Sequence, residues 1–245
     1  MGRWPDTREA LEAFQVSLAE EHPDPWRMPS GSYTVGGAFV AFSTRDDPSP
    51  VERAWGAAVC GVERIVVRAD VSAGYEPGYL ALREGSLLEE AVRGLPVTPN
   101  VLLVDASGRD HPRGGGLALH LGAVLDVPTV GVTDRPLASE VVEGMLVLGG
   151  EVVGCEVRTR AGARPVFAHA AWRTDVETAR AVVLASVAGS RTPEPLRRAR
   201  FLARSARARD EGRLPPGWRM DQLAEPRFPG GARAGGGLSL GAVGA

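Results

Sequence analysis

Lysine is absent from the 245 residues: all 28 basic side chains are arginine, set against 30 acidic ones. With no ε-amine anywhere, Schiff-base catalysis and lysine acid chemistry are excluded. Isoleucine and asparagine occur once each, as Ile65 and Asn100, and a biased base composition in the encoding DNA accounts for these scarcities together. Cysteine is nearly absent too. Cys60 and Cys155 stand far apart in apolar, strand-like surroundings, which makes neither a disulfide framework nor a metal-ligand spacing and predicts two buried free thiols. No apolar run approaches membrane-spanning length, and the opening stretch MGRWPDTREALEAF has no apolar leader core. These absences predict a cytoplasmic protein without a membrane partner. The formal net charge of −2 is too small to make the whole molecule an attractor of nucleic acid. Its distribution is uneven, because arginine recurs every few residues from Arg191 to Arg213.

The apolar pattern lays out an α/β chain. Leu11, Phe14 and Leu18 recur at helical spacing behind an N-cap at Asp6 or Thr7. YTVGGAFVAFS, AWGAAVCGV and RIVVRADV read as three strands of an antiparallel meander. GYLALREGSLLEEAVRGL is a helix whose inward face is Leu80, Leu87, Leu88 and Val92. NVLLVD is a continuous apolar run ending in a carboxylate, the pattern of a central strand buried on both faces. A Gly-rich helix start, GGGLALHLGAVLD, leads to the short strand PTVGV. GMLVLGG, EVVGCEVRT and PVFAHAA are further strands, followed by the helix DVETARAVVLASVAG and a last, arginine-rich helix opening with Pro near its first turn. Alternation after a meander implies a partly parallel sheet flanked by helices. From Pro215 the composition collapses into Pro, Gly and Ala, which predicts one domain over residues 1–214 and a disordered tail over 215–245.

Four segments then fall in a familiar order: GYEPGYLALRE, VLLVDASGRDHPRGGGLALHLGAVLDVPTVGV, RPVFAHAAWRTDVETA and PEPLRRARFLARSA. In order and spacing they resemble the endonuclease V family, from about Val35 to Ala208. The resemblance implies a ribonuclease H-like fold and a Mg²⁺-dependent nuclease that cuts nucleic acid near inosine or deoxyinosine. It places Glu84 and Asp105 as catalytic carboxylates and metal ligands, which would activate water and offset charge on the scissile phosphate. It places Tyr75 and Pro77 at the wedge beside the target base, and His111 and Arg113 in the loop beside the base pocket. Gly108 of DASG completes the substrate-binding set, with His111 also a candidate acid or base.

The chain departs from the family's pattern at several of these places. Phe39 of GGAFVAF stands where a first-strand Asp is expected, Asp134 of GVTD where a Lys is expected, and Trp172 where a His is expected. An apolar ring cannot ligate a metal, and hard cations bind through carboxylate charge, so weak or absent Mg²⁺ binding and lost or altered cleavage are expected. Asp134 brings a new carboxylate that is a fourth candidate catalytic residue beside Glu84, Asp105 and His111. Asp46 and Asp47 are read as loop solvation and Asp70 as a turn residue, His120 as a core histidine, and the arginines from Arg197 to Arg209 as either phosphate contacts or a solvated helix face. Three functions are compatible with this reading. One is a DNA-repair-type nuclease relative that still engages nucleic acid with impaired cleavage. The second is a scaffold turned to metal-independent chemistry on a small molecule in a specialised biosynthetic pathway. The third is a catalytically dead subunit, a pseudoenzyme that binds a partner protein.

Overall fold

A computed structural model describes residues 4–44 and 51–214. Its centre is a nine-stranded sheet with the order β3-β2-β1-β4-β5-β9-β8-β7-β6. The strands β1 (Val35–Phe42), β2 (Glu52–Cys60) and β3 (Glu63–Val71) form the expected antiparallel meander. β1 then pairs in parallel with β4 (Val101–Val104), and β4 with β5 (Thr129–Thr133). All four residues of β4 are buried, as its unbroken apolar run demands of a strand covered on both faces. β9 (Val166–Ala170) returns antiparallel to β5. Beyond it lie β8 (Glu151–Val157), β7 (Met145–Leu148) and β6 (Glu140–Val142). Sequence patterning misses β6. Its three residues Glu140, Val141 and Val142 are all exposed, so no alternation between a wet and a dry face marks it.

Helices cover both faces. On one side α1 (Arg8–Ala19), α2 (Leu80–Arg93) and α3 (Leu117–Leu125) share a core with Ala38, Val40, Leu102 and Val104. Thr7, not Asp6, caps α1: its hydroxyl accepts from the Ala10 N–H at 3.2 Å. On the other side lie α4 (Val176–Ala185) and α5 (Glu194–Asp210). α5 sits close upon β1, because small residues meet there: Ala199 and Ala203 against Ala41 and Ala57. The approach is so close that a Cβ on Gly37 would lie 2.3 Å from the Pro195 carbonyl carbon. Cys60 and Cys155 are free and buried, and burial pushes both thiols up, so neither is an activated nucleophile. No helix among the described residues is long and apolar enough to cross a membrane. Asp46, Asp47 and the segment from residue 215 onward lie outside the described residues.

Candidate active site and base pocket

The C-terminal end of β4 lies between the middles of β1 and β5, since Ala38 is in register with Val104 and Val104 with Gly131. The next residues outward are therefore Phe39, Asp105 and Val132. Alternation along a strand sends neighbours to opposite faces. Ala38 and Val104 enter the α2–α3 core, so Phe39 and Asp105 turn toward α5. There Arg200 meets both. Its Nη2 donates to Asp105 Oδ2 at 3.0 Å, and its guanidinium carbon lies 5.4 Å from the Phe39 ring centroid. Arg204, one turn further on, stacks on the same ring at 5.5 Å. Burial raises the Asp105 pKa, and the Arg200 and Arg204 charges offset that rise only in part.

Glu84 approaches from α2. Burial, and then the Asp105 charge, push its pKa up to about 8, so the side chain is predominantly protonated at neutral pH. Arg83, its neighbour in the chain, turns away to Glu52 at 2.5 Å and to the Ala73 carbonyl at 3.0 Å, and stacks over Phe42. Asp134 is exposed and pairs with Arg191 at 2.6 Å, although its charge still reaches Asp105. A Mg²⁺ pair does not fit these residues. The first-strand position is an apolar ring, and the Asp105 oxygen is held by a guanidinium. Among the described residues no group of three or more His, Cys, Asp or Glu side chains could hold a metal ion.

A second locus opens on the α1 side of the sheet end, where Tyr75, Pro77, Gly78, Ser107, His111 and Leu137 line a small cavity together with Gln15. Its organising atom is the Gly78 carbonyl oxygen, which accepts from His111 Nε2 at 3.1 Å, Arg113 Nη2 at 2.9 Å and Gln15 Nε2 at 3.2 Å. Gly78 has φ +86, a left-handed conformation that glycine adopts without a Cβ penalty. His111 Nδ1 accepts from the Arg113 N–H at 3.2 Å, which leaves Nε2 as the protonated nitrogen. Burial pushes the His111 pKa down to about 4, so near neutrality this ring braces the loop at Gly78 and carries no charge. Arg113 is spent similarly, with Nε on Gln15 at 2.7 Å and its plane over Tyr79. Tyr75 is left exposed at the mouth. Gly108 is required by packing, because a Cβ there would lie 2.2 Å from the Ala170 carbonyl oxygen. The Gly-rich run preceding α3 has a similar cause: a Cβ on Gly115 would lie 2.5 Å from the Gln15 carbonyl oxygen.

Two functional groups escape sequence reasoning. Arg200 is one of many arginines on α5, and nothing local singles it out. Asp110 is the other. Fully buried, it accepts backbone N–H bonds from Leu137, Ala138 and Ser139 at 2.7, 2.9 and 2.8 Å, and so fixes the loop that carries Leu137 to the cavity. Those bonds and the neighbouring His169 hold the Asp110 pKa down against burial. His169 is itself buried, with Nε2 2.7 Å from Thr133 Oγ1, and burial drives its pKa well below the ordinary value. His120 is the core residue expected, stacked on Trp4 at 4.1 Å. Trp172 is half-buried and packs against the same core.

A partly parallel, helix-flanked sheet with its working groups at the ends of the parallel strands defines a ribonuclease H-like protein. Within that class the chain is a member of the endonuclease V family, whose model matches residues 18–201. It is 43% identical over 159 residues to an endonuclease V of Methanopyrus kandleri, covering 62% of this chain and 69% of that one. It is 35% identical over 219 residues to one of Streptomyces coelicolor, covering 83% and 92%. The crystal structure of the Streptomyces avermitilis endonuclease V is similar in fold, with a TM-score of 0.72 and 32% identity over 85% of this chain and 96% of that one.

Proposed function

We propose that this protein recognises inosine-bearing nucleic acid and holds it without hydrolysing it by metal-ion catalysis. One observation carries the reading: the carboxylate that would anchor the metal, Asp105, is already neutralised by Arg200 at 3.0 Å, beside an aromatic ring at the position of the missing ligand. Two-metal hydrolysis needs clustered carboxylate charge to collect the ions and to orient the attacking water. Here a guanidinium occupies that carboxylate instead, which supports a site that does not collect Mg²⁺. Glu84, Asp105 and Asp134 then lie outside the retained cavity, and His111 is part of its wall. Tyr75 and Pro77 form its wedge, while Gly108 and the His111–Arg113 loop set its shape. Recognition without cleavage results from keeping the second locus and losing the first.

The test pairs binding with turnover. Single-stranded DNA and RNA carrying one inosine are incubated with Mg²⁺ or Mn²⁺, and cleavage is read beside affinity measured in EDTA. Binding that prefers inosine over guanosine, with no cleavage above background, supports the proposal. Cleavage at rates typical of enzymes, on the order of 1 per second, overturns it and restores the nuclease reading. Absence of both binding and cleavage also overturns it, and turns attention to a small molecule or a partner protein.

A further inference from the structure

The arginines of α5 are unevenly spent. Arg197 pairs with Glu194 at 2.6 Å and Arg209 approaches Asp210 at 3.4 Å. Arg198 donates to the Gly61 carbonyl. Arg200, Arg204 and Arg207 differ from these. Their i, i+4, i+7 spacing puts them on one face of the helix, and that face looks over Phe39 and the end of β1. Among the described residues, the one carboxylate bonded within this set is Asp105, on Arg200. Arg207 gives one N–H to the Phe42 carbonyl at 2.9 Å. Arg204 is exposed, with its guanidinium over the Phe39 ring.

We propose that Arg200, Arg204 and Arg207 form a metal-independent seat for a backbone phosphodiester of single-stranded nucleic acid, with Phe39 as its floor. The inference deepens the preceding reading, which concerns the base, and rests on it. Three arguments support it. First, a guanidinium stacked on an aromatic ring keeps its N–H edge free, and that planar edge matches two phosphate oxygens at once. Second, the three cations crowd one another: desolvation first, and then the Arg200 and Arg207 charges, disfavour the charged state of Arg204, and Asp105 only partly offsets them. A bound anion would relieve that repulsion. Third, the stripe lies at the ends of β1 and β4, where catalytic metal ions would otherwise supply positive charge to the same backbone. The positive charge has moved from a dissociable ion to the covalent chain, and with it the ability to hold a phosphate in the presence of a chelator.

The experiment measures fluorescence anisotropy of a short single-stranded oligonucleotide with one inosine, in excess EDTA, over a salt series. The proteins are the full chain, Arg204→Gln, and Arg204→Gln combined with Arg207→Gln. Thermal melting verifies that each variant is folded, and Arg204, being exposed, is the substitution least able to disturb packing. Each lost phosphate contact should lower the slope of log affinity against log salt by about 0.7 and weaken binding roughly tenfold, while the preference for inosine over guanosine is unchanged. Folded variants with the wild-type slope overturn the seat. So does a wild-type chain that binds no oligonucleotide in EDTA. A third arm titrates inorganic phosphate: if it competes as well as the oligonucleotide and depends on Arg204, the site serves free anions and the phosphodiester assignment is overturned. Loss of base preference with the slope still falling in the variants refutes the base reading and leaves the seat standing.

Discussion

Replacing Asp110 by Asn removes one buried charge and turns one acceptor into a donor. The carboxylate accepts on Oδ1 from Ala138 and Ser139 and on Oδ2 from Leu137. An amide can keep the first two as neutral bonds, but its NH₂ then faces the Leu137 N–H, donor against donor. Hydrogen bonds to a charged group contribute about 1.5–3 kcal/mol each, and a buried unsatisfied donor costs a similar amount. Part of the lost energy is recovered because the neutral amide is easier to bury. The net expectation is a loss of about 3 kcal/mol, against a total stability of roughly 5–15 kcal/mol, so the protein stays folded. In urea the midpoint should fall by roughly 1–2 M with an unchanged slope. Hydrogen exchange at Leu137, Ala138 and Ser139 should accelerate more than exchange in β2, because the damage is local. Affinity for an inosine oligonucleotide should fall as well, since Leu137 lines the cavity. A midpoint shift below about 0.5 M, or uniform acceleration across the sheet, would refute the idea that Asp110 holds this loop.

Three other expectations arise from the same geometry. Phe39→Asp alone should not create a metal site, because the new carboxylate arises beside Arg200 and Arg204 and pairs with them; calorimetric Mn²⁺ binding should emerge only when Arg200→Ala is added, and micromolar binding by Phe39→Asp alone contradicts this. Gly115→Ala should push α1 off the α3 start, since its Cβ would lie 2.5 Å from the Gln15 carbonyl oxygen; a loss of about 1–3 kcal/mol together with weakened oligonucleotide binding is expected, read by urea titration and anisotropy. Acidification should destabilise the fold well above the carboxylate range. His111, with a pKa near 4, and His169, also depressed, are both neutral when buried, whereas the unfolded chain takes up their protons from about pH 6.5 downward. The contribution of these two groups is therefore complete above that pH and declines as pH falls toward 4, with a slope of up to roughly 3 kcal/mol per pH unit. Glu84, raised to about 8, acts with the opposite sign over the same range, so the test is made in a Glu84→Gln background, where urea midpoints flat between about pH 7 and 5 would refute the buried neutral pair.

What was legible in the sequence is what is determined locally or by strand register. Thr7 was one of two candidate caps because capping chemistry needs only the next few residues. The placement of Phe39 level with Asp105 came from the family pattern and is met in the β1–β4 register. The meander, the buried strand β4 and the two inert thiols were legible because apolar periodicity reports burial directly. What stayed hidden depends on helix rotation and long-range closure. Arg200 and Asp105 are 95 positions apart, and only the azimuth at which α5 lies on β1 selects that arginine from its neighbours. Asp110 stands beside the His-Pro-Arg run with no pattern of its own, and its nearest partner, Leu137, is 27 positions downstream. Asp134 illustrates the converse: its place at the sheet end was legible, whereas its turn toward Arg191 was not.

The departures at the sheet end make sense together rather than singly. A buried carboxylate whose metal partner is lost is destabilising, because desolvation is no longer offset by an opposite charge. Asp105 would carry that penalty if Phe39 were the only change. Arg200 offsets part of it by supplying a cation that cannot dissociate, and that cation lies over the Phe39 ring. Glu84 has no such bonded partner among the described contacts and meets the same penalty by keeping its proton. The two carboxylates have thus been neutralised by different routes, one by pairing and one by protonation. The fold no longer depends on a bound ion for charge balance at this acidic pair. On the proposed reading, installing metal chemistry here requires reversing the pairing as well as supplying the missing ligand, so Arg200 bears on it as much as Phe39.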